Sequence, residues 1–420
     1  YEIGVRLVGS EMCIRDRLGV ERASTILHGA GAGGLAVEDA AQALAEGSLL
    51  ACYRFDDYST TASADDGTRK RLKSLTIVEF DQARLSAIRK GVKAGKSIAE
   101  ATCLARDLAN QPGNTATPTY LASVARRLAR KHGLRCRVLD ESAMKKLGMG
   151  ALIGVSRGSQ QPARFIILEH GTNKKRGASK DEGPLVFVGK GVTFDSGGIS
   201  LKPGNGMEDM KFDMSGGAAV IGAMQAIAEL EVKANVVGLV PSSENLPSGS
   251  AVKPGDVIQS LAGKTIEVIN TDAEGRLILA DALAYGAALE PEAMVDCATL
   301  TGGVVVALGH HAAGVLGKND SLVNELISAG EASGERCWRL PLWDEYRRQL
   351  DSTTADLKNI GGREGSTISA ACFLAEFVRD TNWAHLDIAG TAYGDGKVPY
   401  QREGGYGVPT RLLVEWVRSR

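Results

Sequence analysis

The sequence has no apolar run of about 18 residues, the length that a membrane-spanning helix needs. It also has no N-terminal succession of charged, apolar and small residues, the pattern of a secretory signal. Both absences favour a soluble protein located in the cytoplasm. An organelle-targeting segment that preceded the present N-terminus would change only the location.

Neither sign of charge predominates in the chain. Lys and Arg total 49 against 50 Asp and Glu, a formal net charge of -1, so nothing indicates a nucleic acid or an anionic membrane as partner. Seven widely spaced cysteines without a Cys-x-x-Cys pair favour reduced thiols over disulfides or a structural zinc site. Six scattered histidines give no indication of a histidine-rich metal site.

What is present is an ordinary globular composition, 44% hydrophobic and 24% charged, in a chain of 420 residues. This length exceeds the usual size of one hydrophobic core, so two domains are expected. Residues 1–17 resemble translated sequencing-adapter sequence and are expected to be foreign to the native protein. We predict an incomplete N-terminal domain at 18–95, a linker helix at 96–110 and the main domain at 111–420.

Apolar strand-like runs alternate with helical patterns along the main domain. This alternation predicts an α/β fold whose central sheet is mixed but largely parallel and is flanked by helices, preceded by a smaller, truncated α/β domain. The strand-like runs are "RCRVLD", "ARFIILEH", "PLVFVGKG", "ANVVGLVP", "KTIEVIN", "AMVDCATLTG" and "WAHLDIAG". Ligands of such sheets bind beyond the carboxyl ends of the strands, so polar residues that follow apolar runs are the candidates for a site.

Ionisable residues follow several of these runs. Lys190 ends "PLVFVGK", Asp195 and Lys202 follow it, and Asp213 precedes a small-residue helical pattern. An isolated Asp in a glycine-rich loop is usually a turn residue or a helix cap. Several such residues at the ends of neighbouring strands indicate a site instead.

The segment "INTDAEGRL" places Asp272, Glu274 and Arg276 two residues apart. In an extended segment these side chains share one side, so we expect them to converge. Two carboxylates that close repel unless one is protonated or a cation lies between them, and four carboxylates call for more than one divalent ion. Beside such ions the ammonium form of Lys190 is disfavoured, which would make it a neutral nitrogen ligand.

The segments "VGKGVTFDSGGISLKP", "MEDMKFDMSGG" and "NTDAEGRL" resemble the signatures of the leucyl aminopeptidase (cytosol aminopeptidase) family, two-metal peptidases, from about residue 105 to the C-terminus. The resemblance implies that residues 111–420 form the catalytic domain. It implies two divalent ions per subunit, Mn²⁺ or Zn²⁺, with Asp195 and Glu274 contacting both. The implied ligands are Lys190, Asp195, Asp213, Asp272 and Glu274. Lys202 and Arg276 would be catalytic, with a bicarbonate ion at Arg276.

The resemblance further implies an exopeptidase that removes Leu or another apolar residue from the N-terminus of peptides, and a homohexamer. The implied substrate-binding residues are Met210, Thr299, Leu300 and Gly302, with the segment around Ala389. A thioether and small residues in such a pocket favour Leu or Met side chains.

Several alternative interpretations remain open from the residues alone. The carboxylates would also serve another two-metal hydrolase such as a phosphoesterase, although a phosphate site would need more arginines or glycine-rich anion cradles, and "VGKGVTF" lacks the Ser/Thr of a P-loop. "GVSRG" fits a nucleophile elbow with Ser156, for which His385 could be the base. "GAGAGG" at 29–34 fits a dinucleotide fingerprint, but "RASTILH" is a poor strand before it and no complete βαβ unit is expected there. The pair His310 and His311 is expected in a polar turn or an interface, and a non-catalytic binding protein would have no need of the full ligand set.

Overall fold

The computed structural model describes residues 21–30, 34–60, 72–171, 183–396 and 398–420. The adapter-like segment 1–17 and residues 31–33, the centre of "GAGAGG", lie outside the described residues. Within the described ranges, every helix is too short or too polar to cross a membrane. The described cysteines form no disulfide.

The N-terminal part contains a βαβ unit, so the expectation of no such unit was wrong. Strand β1 (Arg22–Ile26), helix α1 (Val37–Cys52) and strand β2 (Ser74–Val78) follow each other, and the two strands pair in parallel. The inward residues of β1, Ala23 and Thr25, are small and only half-buried. Small inward residues give a weak alternation of hydrophobicity, which is why "RASTILH" did not indicate a strand.

Helix α2 (Leu85–Asn110) is one continuous helix of 26 residues. The predicted start of the linker helix, residue 96, lies inside it. Gly91 and Gly95 allow α2 to approach α1 closely, because a Cβ at these positions would lie 2.1 Å from the Glu38 carbonyl oxygen and 2.4 Å from that of Gln42. The same helix contributes Ile98, Ala101 and Leu108 to the large core described below.

The remaining strands are β3 (Arg135–Leu139), β4 (Arg164–His170), β5 (Leu185–Gly189), β6 (Gly191–Asp195), β7 (Val236–Asn245), β8 (Val257–Gln259), β9 (Thr265–Glu267), β10 (Ala293–Ala298), β11 (Ala313–Gly317), β12 (Cys337–Arg339), β13 (Leu357–Lys358), β14 (Trp383–Asp387), β15 (Tyr393–Asp395) and β16 (Glu403–Gly405). The helices are α3 (Pro118–His132), α4 (Glu141–Leu147), α5 (Gly150–Ser156), α6 (Ser215–Glu229), α7 (Gly275–Ala287), α8 (Gly302–Leu308), α9 (Asp320–Ser333), α10 (Asp344–Arg347), α11 (Ser366–Ala375) and α12 (Thr410–Arg418). Short 3₁₀ segments are Gln82–Arg84, Met207–Met214 and Arg348–Leu350.

Among the described residues, nine strands form the central sheet, in the order β12-β11-β14-β10-β5-β7-β4-β3 with β6 beside the end of β7. Strands β14, β10, β5, β7 and β6 are mutually parallel, whereas β11 and β4 run antiparallel to their neighbours β14 and β7. This confirms the predicted mixed, largely parallel sheet. Along β5, Phe187 packs into the core on one face and Val186 and Val188 into the core on the other. Both faces are therefore covered, as parallel strands require.

The parallel strands deliver polar residues to one edge of the sheet. Lys190 follows β5, Asp195 ends β6, Asn245 ends β7, Thr299 follows β10 and Asp387 ends β14. Because carboxyl ends of parallel strands meet at the same edge, residues distant in sequence become neighbours there.

Candidate metal centre

Three buried carboxylates form the centre of the site. Asp195, Asp213 and Glu274 each place a carboxylate oxygen within 4.8 Å of the other two, and their exposed fractions are 2%, 8% and 2%. Asp195 ends a strand, Asp213 lies in the 3₁₀ segment Met207–Met214, and Glu274 immediately precedes α7. Three carboxylates this close and this buried are stable only with cations among them.

Two lysine ammonium groups supply positive charge in the structure. Lys190 Nζ lies 2.8 Å from Asp213 Oδ1 and 2.8 Å from Glu274 Oε1, and donates a hydrogen bond to the Thr299 carbonyl at 2.9 Å. Lys202 Nζ lies 2.8 Å from Asp195 Oδ2 and also pairs with Asp272. The four predicted carboxylate ligands and the lysine ligand are thus brought together, with Lys202 beside them.

The acids are strained electrostatically despite these lysines. Burial and the neighbouring carboxylates raise the pKa of Asp213 well above its ordinary value, against the attraction of Lys190. Burial and the charge of Asp195 raise the pKa of Asp272 to about 6, although Lys202 opposes the shift. Burial alone would lower the pKa of Lys190, but attraction by Asp213 and Glu274 outweighs it and raises this pKa. The centre therefore has an excess of negative charge that further cations would relieve.

The residues present fit a pair of divalent ions. Asp213 Oδ2 is buried and has no hydrogen-bond partner among the described residues, and leaving such an acceptor unsatisfied is costly unless a cation or water takes it. Carboxylate oxygens suit hard and borderline divalent cations such as Mn²⁺ and Zn²⁺. A deprotonated Lys190 amine would add one nitrogen donor.

Two glycines make this packing possible. A Cβ on Gly275, the first residue of α7, would lie 2.6 Å from Lys190 Nζ and Cε. Gly197 has φ +86°, and a Cβ there would lie 2.5 Å from the Ser200 carbonyl oxygen and 2.9 Å from Asp272 Oδ1. Gly197 is required for its left-handed backbone and its contact with the Ser200 carbonyl, whereas a side chain at Gly275 would displace the end of Lys190.

The motif 272–276 converges by a turn rather than by the extended backbone that we expected. The Asn270 side chain accepts a hydrogen bond from the Asp272 amide at 2.8 Å, Glu274 has helical angles (φ -79°, ψ -34°), and α7 begins at Gly275. Asx turns of this kind compete with strand geometry. Arg276 is buried in the first turn of α7, and its Nη1 donates to the Asn359 carbonyl at 2.9 Å. Burial lowers the pKa of Arg276 to about 10, so it remains a cation at neutral pH.

Comparison with known proteins agrees with this centre. The catalytic-domain pattern described as "Cytosol aminopeptidase family" matches residues 103–414. The chain belongs to the cytosol aminopeptidase family. A probable cytosol aminopeptidase of Nitrosococcus oceani is 51% identical over 381 residues, 90% of this chain and 74% of that protein. Another, of Syntrophotalea carbinolica, is 52% identical over 396 residues, 94% of this chain and 78% of that protein.

Two solved structures of the bottromycin maturation enzyme BotP, one of them in complex with Mn, are also similar to this chain. They share 37% sequence identity with it, with TM-scores of 0.89 and 0.88, and cover 99% of this chain and 87% of theirs. The family membership confirms the predicted class, a metal-dependent aminopeptidase that hydrolyses peptide bonds. The phosphoesterase and serine hydrolase alternatives are not favoured.

In this aminopeptidase, two side chains that sequence analysis did not predict as supports hold the acids in place. Asn245 Nδ2 donates to Asp195 Oδ1 at 2.8 Å and to the Thr271 carbonyl at 2.9 Å. Thr299 Oγ1 donates to Asp213 Oδ1 at 2.7 Å. Asn245 is the last residue of β7, but it follows the apolar run by four residues, so the sequence carried little signal for it. Thr299 was predicted as a pocket residue, and its bond to Asp213 depends on folding.

The predicted substrate-binding residues of the aminopeptidase lie in three places: the 3₁₀ segment Met207–Met214, the segment from the end of β10 to the start of α8, and the segment after β14. Met210 is half-buried in the 3₁₀ segment that carries Asp213, and Gly302 is exposed at the start of α8. The buried Asp387 carboxylate links the segment after β10 to the segment after β14, because its Oδ1 accepts hydrogen bonds from the amides of Leu300 and Ala389, both at 3.2 Å. Its Oδ2 accepts from Thr301 Oγ1 at 2.6 Å.

The residues of the rejected alternatives have structural roles. Ser156 is the buried last residue of α5, and its Oγ donates to the Ile153 carbonyl at 3.0 Å. It lies at the end of a helix, so "GVSRG" is not the strand-to-helix turn of a nucleophile elbow. His385 is fully buried in β14 and pairs through Nδ1 with Asp296 at 2.6 Å. His310 donates from Nδ1 to the Gly390 carbonyl at 2.8 Å.

Proposed function

We propose that residues 111–420 of this aminopeptidase release Leu and other apolar residues from the N-termini of peptides. The cluster of three buried carboxylates beside Lys190 and Lys202 is the observation that carries the proposal. Two divalent ions, Mn²⁺ or Zn²⁺, would be held by Lys190, Asp195, Asp213, Asp272 and Glu274. Asp195 and Glu274 are the ligands proposed to contact both ions.

When bound, the two ions activate water for attack and polarise the scissile carbonyl. The chain supplies the remaining stabilisation through Lys202, whose ammonium group lies between Asp195 and Asp272 at the edge of the cluster. We propose that Lys202 stabilises the negative charge that develops on the carbonyl oxygen of the substrate during attack. A single well-placed donor of this kind contributes about 3 kcal/mol to transition-state stabilisation.

Arg276 is proposed to hold a bicarbonate ion that carries the proton during turnover. Support comes from its buried guanidinium, whose Nε has no hydrogen-bond partner among the described residues. The planar fork of a guanidinium suits a planar oxyanion. Its cationic state at neutral pH, noted above, matches an anionic ligand.

The first side chain of the peptide is proposed to bind among Met210, Thr299, Leu300, Gly302 and the segment around Ala389. Met210 supplies an adaptable apolar surface, and the small residues leave room for a branched aliphatic side chain. This combination favours Leu and Met over charged residues.

We also propose that the protein acts in the cytoplasm as a homohexamer. The assembly follows from the resemblance to the family, and association of subunits would cover exposed apolar side chains such as Val306 and Trp338, which are 90% and 67% exposed. Light scattering of the purified chain measures the assembly directly, and a monomer would contradict the proposed assembly while leaving the chemistry untouched.

The decisive experiment for the activity is hydrolysis of leucine p-nitroanilide by the purified chain with and without a strong chelator. The proposal expects turnover with added Mn²⁺ or Zn²⁺ and loss of turnover after chelation. Equal rates in both conditions would refute the metal mechanism. Cleavage of p-nitrophenyl phosphate in place of the anilide would favour the phosphoesterase alternative.

A further inference from the structure

Asn359 occupies an unusual position beneath the motif that carries Asp272, Glu274 and Arg276. It follows β13, is fully buried, and lies 83 residues beyond Arg276 in the chain. Its backbone amide donates to the Glu267 carbonyl at 3.0 Å, which extends the parallel pairing of β13 with β9. The backbone of Asn359 is therefore fixed by the three-stranded sheet β13-β9-β8, independently of its side chain.

The side chain of Asn359 uses both of its polar ends on the turn before α7. Its Oδ1 accepts from the amides of Ile269 at 2.8 Å and Asn270 at 3.3 Å. Its Nδ2 donates to the carbonyls of Asn270 at 2.7 Å and Ala273 at 3.4 Å. Four backbone groups on the two sides of Asp272 are thus satisfied by a single amide.

The backbone carbonyl of Asn359 holds Arg276, because it accepts the Nη1 hydrogen bond at 2.9 Å. One buried residue therefore contacts the turn that carries Asp272 and the guanidinium that follows it. We propose that Asn359 is a positioning residue that fixes Asp272 and Arg276 relative to each other for metal binding and turnover. This inference rests on the proposed function, from which the roles of Asp272 and Arg276 come.

A positioning role of Asn359 and a merely structural role predict different effects of its replacement. Removing the side-chain amide of Asn359 leaves its backbone hydrogen bond to Glu267 in place, but the turn loses four hydrogen bonds. The turn then moves while the sheet remains, so metal affinity and turnover should suffer more than the fold does. Residues that orient metal ligands change affinity or activity by about 10- to 100-fold when replaced, and displacement of about 1 Å near a reacting centre costs about 100-fold in rate.

Two variants test it. Asn359→Ala removes the whole amide, and Asn359→Asp keeps its shape and its acceptor but loses the two donors to Asn270 and Ala273. The matched control is Asn319→Ala, since Asn319 likewise bonds a backbone amide, that of Leu322 at 3.1 Å, but caps helix α9.

Three quantities are measured for each protein: Mn²⁺ affinity by titration calorimetry, the melting temperature without metal, and kcat and KM for leucine p-nitroanilide at saturating Mn²⁺. Both Asn359 variants should lose about tenfold or more in Mn²⁺ affinity and in kcat, with KM within about threefold of the wild type. The control should match the wild type in affinity and kcat, whatever its melting temperature.

Wild-type affinity and kcat, within twofold, in a folded Asn359 variant would overturn the proposal. If Asn359→Ala does not fold, Asn359→Asp decides the question alone. If the wild-type chain itself neither binds Mn²⁺ nor cleaves the anilide, the proposed function fails instead, and the two failures are thereby distinguished.

Discussion

Replacing Gly275 by Ala should damage the metal centre without removing any ligand. Gly275 begins α7 next to Lys190, and a Cβ there would lie 2.6 Å from Lys190 Nζ. Ordinary contacts between such atoms are about 3.5–4.0 Å, so Nζ must move by about 1 Å. The moving atom is the end of a flexible side chain, which makes the shift inexpensive for the fold.

The shift is costly for the site, because Nζ is held by three partners at 2.8–2.9 Å, namely Asp213, Glu274 and the Thr299 carbonyl. Misplacement by about 1 Å corresponds to a loss of about 100-fold in rate, or about 2.7 kcal/mol of transition-state stabilisation.

The assay compares kcat/KM for leucine p-nitroanilide and the melting temperature of Gly275→Ala with those of the wild type. Gly249→Ala is the control, since a Cβ at this exposed loop position would meet no atom within 4 Å. We expect a loss of about 100-fold in kcat/KM for Gly275→Ala with a melting temperature close to that of the wild type. A folded Gly275→Ala enzyme with wild-type kcat/KM would show that the position of Lys190 Nζ does not matter, and would refute the reasoning.

Three further substitutions have distinct expected outcomes. Lys202→Ala should retain Mn²⁺ in calorimetry but lose about 100- to 1000-fold in kcat; unchanged kcat would remove Lys202 from the mechanism. Asp387→Asn should raise KM for leucine substrates and reduce the preference for leucine over alanine p-nitroanilide, because Asp387 joins the segments of Leu300 and Ala389; unchanged selectivity would contradict this. Glu46→Gln should stabilise the fold at pH 8 but not at pH 5, because burial raises the pKa of Glu46 to about 7 from 4.5. The contribution of protonated Glu46 to the free energy of unfolding is complete below pH 4.5, and up to about 3 kcal/mol of it is lost as the pH rises through 7. Chemical denaturation of both proteins across this range measures the loss, and an equal pH dependence of wild type and Glu46→Gln would contradict the prediction.

The sequence predicted the main sheet because its strands are buried on both faces and read as continuous apolar runs. All residues of β5, β7, β10 and β14 are buried. The strands β5, β10 and β14 lie within recognised runs, whereas β7 continues four residues beyond its run, to Asn245. The pairing of β1 with β2 was missed because small inward residues carry little hydrophobic signal. Pairing partners, unlike periodicity, are a property of the folded chain.

The candidate site was predictable in composition but not in geometry. Asp195 ends β6, and the other acids lie in the segments that follow apolar runs; the motifs that carry them resemble those of a known family. The turn at Asp272 was not predicted. Asn270 forms a local Asx turn with the Asp272 amide, a pattern that sequence reasoning overlooked, whereas the hydrogen bonds from Asn359 come from a distant segment. Asn359 lies 89 residues from Asn270, so only the fold reveals their contact.

The most direct test of the central claim is anomalous diffraction at the manganese edge from crystals of the chain grown with Mn²⁺. The account predicts two anomalous peaks per chain, surrounded by Asp195, Asp213, Asp272 and Glu274, with Lys190 Nζ beside one of them. Absence of a peak among these carboxylates, with Lys190 and Lys202 still paired to them as in the structure described above, would contradict it.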